Sequence, residues 1–425
     1  MDQTPMHRVA AASAIGTILE WYDFALYNAM AGLVFNKIFF PSFDPLVGTL
    51  LAFLTYGVGM VARPVGGIIC GRLGDIIGRR PMLIATVSVM GGSTALIGLL
   101  PGYDKIGVLA PILLVILRFV QGIMLGGEWA GAVLLSVEHG SASRRGLNAS
   151  WTQCGTPGGT LLATAALATT TALTSNADFI AWAWRIPFLI SLVIIVYAVW
   201  LRRRVDETPQ FREIKAKDQT ARAPVREVLR KHWGRVLMGC GIKFGPDAVG
   251  ALMFTFTLTY LTQIVRVDRS LALTAVSIGS AANLLTIPLF GSLSDRWGRR
   301  SIYLVGVGLA IVWTSLLFKL LDTAIPSVVI LAVVIGLVIH ASLWGTQASF
   351  ITEQFPTRLR YTGSSLSYTL AGVVAAATPA ALVALQSQFQ ASWAPAAYVI
   401  FLLLVTSVVV LGSTSRPIDE LEKGG

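Results

Sequence analysis

Apolar residues along the chain gather into twelve runs, each long enough to cross roughly 30 Å of hydrocarbon as a helix, with short clusters of Arg, Asp, Gly or Pro between them. The runs cover about residues 13–35, 46–71, 81–100, 109–137, 146–170, 180–201, 235–263, 271–293, 301–320, 327–353, 361–385 and 392–413. This pattern predicts an all-α polytopic membrane protein with twelve transmembrane helices. Composition agrees with it. A chain that is 54% hydrophobic and only 13% charged, with a mean hydropathy of +0.69, cannot hide its apolar residues inside one water-soluble globule of ordinary composition.

Charge supplies the orientation. Of 33 Lys and Arg residues, 24 fall at the two chain ends or in the loops after the even-numbered runs, four (Lys37, Lys105, Arg266, Arg269) fall on the other side, and five lie within the runs. The positive-inside rule then predicts a multi-pass protein of the inner (plasma) membrane with both termini cytoplasmic. The net charge of +11 therefore records topology, and nucleic acid is not expected as a partner. The largest loop, Arg202 to Arg235, carries 11 basic and five acidic residues and reads as a solvated connector, or as a segment lying along anionic lipid headgroups. Glu20 and Asp23 interrupt the first run and no small-residue cleavage site follows, so that run is expected to stay as a helix and not to be removed as a signal peptide. Cys70, Cys154 and Cys240 lie in separate runs without metal-ligand spacing, so no metal or cofactor is expected. No phosphate-binding P-loop is present, which argues against a pump driven by ATP through this chain.

One decapeptide occurs twice. GRLGDIIGRR at 71–80 returns as GSLSDRWGRR at 291–300, each between the second and third run of a six-run half. The chain is thus expected to be a duplication: a first bundle over 1–201, a linker over 202–234 and a second bundle over 235–425. Two halves rocking about a central site suit a transporter; a channel, receptor or enzyme does not require them. The repeated loop has a physical logic. Its glycines let helix ends approach, Asp75 and Asp295 can face the positive N-terminal end of a neighbouring helix, and Arg79, Arg80, Arg299 and Arg300 add charge-assisted bonds. A second repeat accompanies it, with Glu138 before Arg144 and Arg145, and Glu353 before Arg358 and Arg360. These charges are candidate gating residues, with headgroup anchoring as the alternative role.

Charges inside the runs need partners or a use, because an unpaired charge in the bilayer interior costs from about 2.5 kcal/mol upward. Asp23 lies roughly 15 Å along its helix, near mid-bilayer, with Glu20 one turn away on the same face. Arg118, Gln121 and Glu128 fall within an arc of about 80°, which predicts one polar stripe turned inward. A carboxylate that gains and loses an Arg partner during rocking can bind and release a proton, so Asp23, Glu20 and Glu128 are the candidate coupling groups, each with a permanent ion pair to Arg63 or Arg118 as its structural alternative. Arg63, Arg118 and Lys243 suggest an anionic cargo. Gln121, Tyr27, Trp129, Gln153, Asn283 and Trp344 are candidate cargo contacts, with Tyr22 and Gln347 as lesser ones. His340 is a candidate proton relay or a hydrogen-bonded packing residue, and Lys243 with Asp247 at i and i+4 reads as a local ion pair.

These motifs resemble a known family. The repeated decapeptide and RFVQGIMLGG at 118–127 resemble motifs of the major facilitator superfamily, and EWYDF at 20–24, RPVGG at 63–67, QGIMLGGEWAGA at 121–132 and WRIPF at 184–188 resemble its metabolite:proton symporters. The resemblance implies that family's fold, with two pseudo-symmetric halves and alternating access, proton-driven import of a small organic acid, and a shikimate-like hydroxylated carboxylate as cargo. A monomer is expected. In the second half GIKFGPDAVG at 241–250 departs from the family pattern, which leaves α-ketoglutarate, citrate, another aromatic acid, and zwitterions such as proline or betaine open as cargoes. CGTPGG at 154–159 loosely resembles a Gly-Pro motif of antiporters, predicts a bend at Pro157, and keeps proton-coupled antiport open.

Overall fold

The computed structural model describes residues 4–41, 45–217 and 224–413; residues 1–3, 42–44 and 414–425 of the two expected bundles and 218–223 of the expected linker lie outside the described residues. Twelve long helices account for the twelve apolar runs. In the first half they are α1 (Met6–Met30, continued by a π turn Ala31–Phe35 and Asn36–Phe39), α2 (Pro45–Ile76), α3 (Arg79–Leu99), α4 (Leu109–His139), α5 (Arg145–Gln153 and Gly155–Leu173) and α6 (Arg185–Arg203, entered through a π turn Phe179–Ala183). The second half comprises α7 (Trp233–Gly250, carried on through Ala251–Phe256, Thr257–Thr259 and Tyr260–Val265), α8 (Arg269–Trp297), α9 (Arg299–Leu321), α10 (Pro326–Thr352), α11 (Arg360–Phe389) and α12 (Trp393–Gly412). Nine spans among the described residues are long and apolar enough on composition alone to cross a membrane. The first helix is not among them, because Glu20 and Asp23 lower its hydropathy.

Local chemistry fixes the breaks. The glycine before each Arg pair, Gly78 and Gly298, has φ of +120° and +88°, and this turn between two helices excludes a β-carbon at low cost. Pro157 does not bend α5 at its own position; the helix breaks three residues earlier, at Cys154. A proline lacks the N–H that would bond the carbonyl four residues back, so the Gln153 carbonyl is released just where the break falls. Pro246 and Pro288 remain inside α7 and α8. The connector is more ordered than a solvated loop: α6 runs on through Arg203, and two short helices follow, Pro209–Ala216 and Pro224–Lys231.

Three stretches are buried without interruption, Leu125–Glu138 of α4, His340–Pro356 at the end of α10, and Leu359–Thr369 at the start of α11. All three lie toward the arginine-rich end. Beyond Gly372 the residues of α11 turn mostly to exposed or half-buried. The two halves therefore pack closely at the arginine-rich end, chiefly through α2 against α11 and α5 against α8. Glycine makes the approach possible: a β-carbon on Gly71 would stand 2.9 Å from the Thr362 Cα, and one on Gly146 would stand 2.5 Å from the Gly291 carbonyl oxygen.

Candidate functional site

Asp23 sits in a closed polar cluster inside the first half. Arg118 Nη1 lies 2.6 Å from one carboxylate oxygen, and Thr94 Oγ1 and Gln121 Nε2 donate to the other at 2.9 and 3.0 Å. Gln121 also accepts from Arg118 at 2.7 Å and donates to Thr94 at 2.8 Å. The Arg118 guanidinium lies 3.7 Å from the Tyr27 ring centroid, and Tyr27 hydrogen bonds to Thr55 of α2. Helices α1, α2, α3 and α4 thus hold one ion pair with no exposed member, which meets the requirement that a buried charge be both paired and hydrogen-bonded.

Glu20 is one turn away and has a different partner. Its Oε1 lies 2.7 Å from Arg63 Nη2, while its Oε2 is buried with no hydrogen-bond partner among the described residues. Arg63 stacks over Phe24 at 4.4 Å. This pair interacts electrostatically with Lys243 of α7, which forms the i, i+4 ion pair with Asp247. Two ion pairs from opposite halves therefore share one field. Between them stand aromatic rings: Lys243 Nζ lies 4.3 Å from the Tyr368 centroid and 5.8 Å from that of Trp344, and Trp344 meets Trp21 edge-on at 6.4 Å.

The floor of this region joins the halves directly. Trp129 stacks on Tyr368 at 3.9 Å and 11°, and donates to the Gln153 side chain at 2.7 Å. Gln153 Nε2 donates to the Trp344 carbonyl at 2.9 Å, and Trp344 Nε1 returns a bond at 3.3 Å to the Gln153 carbonyl that Pro157 leaves free. Asn283 stays within the second half, donating to the Leu337 carbonyl at 2.7 Å and lying 3.2 Å from His340 Nδ1; His340 stacks on Trp344 at 5.3 Å. Gln347 is buried, and neither amide atom has a hydrogen-bond partner among the described residues.

The expected inward stripe on α4 divides. Arg118 and Gln121 join Asp23, but Glu128 is gripped by Arg202, which reaches across from the end of α6, and by Thr86 Oγ1 at 2.5 Å. Arg202 also binds the Leu83 and Ala12 carbonyls. The partner expected for Glu128, Arg63 or Arg118, is corrected to Arg202. The sequence reading puts Arg202 at the start of the connector, whereas α6 runs on through Arg203 and carries it inward. Helical phase gives the missing signal: Phe188, Ser191, Ala198 and Arg202 fall on one buried face of α6, whereas Arg203 and Arg204 do not.

At the arginine-rich end the two decapeptides cross over. Asp75 Oδ2 accepts from the Thr362 N–H at 2.9 Å and its hydroxyl at 2.8 Å, at the start of α11. Asp295 accepts from the Gly146 and Leu147 N–H groups at 2.8 and 2.9 Å, at the start of α5. Each carboxylate occupies the positive end of a helix from the other half. Arg79 lies 3.5 Å from both Asp75 and Glu138 and donates to the Thr357 carbonyl at 3.1 Å. Arg299 lies 2.7 Å from Asp295 and 3.1 Å from Glu353. Arg80 and Arg300 bind the Arg203 and Leu411 carbonyls, Arg360 binds the Phe355 carbonyl and Gln210, and Arg144 is exposed; Arg145 opens α5. Glu207, missed in the sequence, accepts from the Arg79 and Arg80 N–H groups, and Arg358 forms a two-pronged bond with Glu227 of the connector.

Two six-helix halves joined by duplicated charge contacts, with further ion pairs buried inside each half, fit a membrane transporter. The comparisons agree: the Major Facilitator Superfamily model matches residues 13–379 and 245–424, and the chain belongs to that family. It is 37% identical to the shikimate transporter of Escherichia coli K12 over 95% of this chain and 93% of that one, and 30% identical to the proline/betaine transporter of the same organism over 98% of this chain and 86% of that one. The fold matches the proton:xylose symporter XylE bound to 6-bromo-6-deoxy-D-glucose with a TM-score of 0.78, at 17% identity and 98% coverage of both chains. The protein is accordingly a multi-pass membrane transporter of small metabolites and not an enzyme.

Proposed function

We propose that the protein imports a small hydroxylated monocarboxylate, shikimate-like in size and charge, together with protons, from an orientation in which both termini and the arginine-rich end are cytoplasmic. The observation that carries this reading is the opposition of Glu20–Arg63 and Lys243–Asp247 across the two halves, with the Asp23–Arg118 pair sealed beside them. Arg63 and Lys243 can each exchange an internal carboxylate for that of the cargo, and Trp344, Trp129, Tyr368 and Gln153 offer a flat aromatic wall and amide contacts to a hydroxylated ring. Asp23 is the proposed proton carrier. Protonation removes its claim on Arg118, Gln121 and Thr94 and frees Arg118 to bind an anion; Glu20 is the second carrier. Glu128, held by Arg202 and Thr86, serves to join α3, α4 and α6.

In this cycle the latches hold the cytoplasmic end shut, and inward opening breaks the bonds from Asp75 to α11 and from Asp295 to α5. Purified protein in liposomes should accumulate labelled shikimate under an inward-acid pH gradient, with collapse on adding a protonophore. Asp23→Asn should abolish uphill accumulation while retaining exchange, and Arg63→Ala should weaken binding by about 2–3 kcal/mol. Accumulation that follows a sodium gradient at constant pH would remove the proposal. A second reading rests on one atom: the unpartnered Glu20 Oε2 suits the cationic group of a zwitterion such as proline or betaine. Competition against labelled shikimate by those compounds separates the two.

A further inference from the structure

We propose that the groove between α2 and the Pro224–Lys231 helix is a binding site for an anionic phospholipid, and that the bound lipid holds the two halves together at their arginine-rich end. The groove has a volume of about 650 Å³ and is lined by Ile68, Arg72, Val225, Arg226, Leu229 and Arg230. Its chemistry is of two kinds in one place. Three guanidiniums project from exposed positions, and none of the three has an ion-pair partner among the described residues. The nearest carboxylate on that helix, Glu227, is taken by both terminal nitrogens of Arg358. Arg79 and Arg202, buried nearby, are paired, whereas the groove brings three guanidiniums without ion-pair partners among the described residues around one apolar surface.

The rest of the lining is apolar and lies at a suitable depth. Ile68 precedes Arg72 by one turn of α2, placing it about 6 Å deeper along the same face. Leu229 is 45% exposed and Ile68 is 39% exposed, which gives an acyl chain a surface to cover below a phosphate held by arginine. The level of the interface is marked by exposed tryptophans at the arginine-rich ends of α6, α7 and α8, namely Trp200, Trp233 and Trp297. Trp233 opens α7 just after the groove helix ends. A soluble phosphate would satisfy the guanidiniums but leave Ile68, Val225 and Leu229 uncovered, so the surface suits a lipid.

The two walls belong to different halves. Arg72 and Ile68 are on α2. The opposite wall is fixed to the second half, because Val228 is buried among Val236, Cys240, Phe355, Leu359 and Leu366, and Glu227 is bound to Arg358. A molecule gripping both walls binds only while the halves are closed at this end, and by linkage it must favour that closure. This inference is independent of the cargo.

The test uses full-length protein in phosphatidylcholine vesicles with and without phosphatidylglycerol. Hydrogen exchange is followed at Leu359–Thr369, where Tyr361 donates to the Gly127 carbonyl and Thr362 to Asp75 across the seam. Phosphatidylglycerol should slow exchange there by about five-fold or more. The triple variant Arg72→Gln, Arg226→Gln, Arg230→Gln should lose that response, and native mass spectrometry should show it retaining fewer phosphatidylglycerol molecules. A variant of equal charge outside the groove, Arg203→Gln, Arg204→Gln, Lys215→Gln, should keep it. If Arg72→Gln impairs folding, the double variant on the exposed connector helix must still lose part of the response. The proposal is overturned if phosphatidylglycerol has no effect on the unaltered protein, if both triple variants lose the response equally, or if soluble glycerol phosphate reproduces it in phosphatidylcholine alone.

Discussion

Asp75 and Asp295 hold the same position in the two copies of the decapeptide, and each sits at the N-terminus of a helix from the opposite half, yet their surroundings differ. The first copy is the drier: the Asp75 and Arg79 side chains are 0% and 1% exposed, against 10% and 12% for Asp295 and Arg299. Arg79 also reaches further, to Glu138 within its half and to the Thr357 carbonyl across the seam, with the Phe211 ring 4.8 Å beneath it. Arg299 keeps a shorter bond to its own aspartate and a bond to Glu353. The reason is topological. The chain has one connector, and its first short helix lies against the first copy, where Glu207 and Phe211 cover Arg79. Duplication supplied the same charges twice; enclosure made one set costlier to disturb.

The largest expected effect follows from that asymmetry. Asp75→Ala leaves Arg79 buried with a weakened set of anions and uncaps α11, and should shift the closed state toward opening by about 3 kcal/mol or more. Asp295→Ala removes an equivalent cap from a wetter site and should shift it by about half as much. Spin-label distances between the arginine-rich ends of α2 and α11 measure both. Equal shifts would show that enclosure does not set the strength of the latches.

A glycine pair reverses the order. In the first seam a β-carbon on Gly74 would stand 2.3 Å from the buried Tyr361 ring, whereas on Gly146 in the second seam it meets the Gly291 carbonyl oxygen at 2.5 Å, and backbone yields less readily than a side chain. Gly146→Ala should therefore favour opening by about 2–3 kcal/mol and Gly74→Ala by about 1 kcal/mol less, read by the same distances. Closure unchanged in Gly146→Ala would mean that the seam between α5 and α8 has slack the packing does not show.

Hydropathy and charge made the twelve helices, the duplication and the identity of the clustered residues legible, because each is written in local composition. Which residue partners which was less legible. Arg202 reads as the first residue of the connector, although its four-residue spacing from Ala198 continues the buried face of α6. The connector helices left signals too: Thr208 followed by Pro209 is a helix start, and Val225, Val228 and Leu229 make an apolar stripe. Contacts across the halves, such as Trp129 on Tyr368 or Trp344 to the Gln153 carbonyl, depend on how two bundles dock, and no local pattern encodes that.

The smallest effect concerns the ion pair by which the second half holds the second connector helix. Arg358 donates to both oxygens of Glu227 at 2.9 and 2.6 Å, and this bonding holds the Glu227 carboxyl below the usual carboxylate range. A carboxylate whose pKa is lowered by docking favours docking at pH above its undocked value, near 4.3, and loses that contribution as pH falls through the lowered value. Between pH 5 and 8 the contact should thus be insensitive to pH, and the protection factor at Pro224–Lys231, exchange corrected for its intrinsic pH dependence, should fall only under more acid conditions. Arg358 is 44% exposed, so the contribution is below about 1 kcal/mol and should fade with added salt. Glu227→Gln should give the acid-state protection factor at neutral pH. A lower protection factor already at pH 6 in the unaltered protein would place the controlling charge elsewhere, and this helix would then be held to the second half chiefly by Val228 and its apolar neighbours.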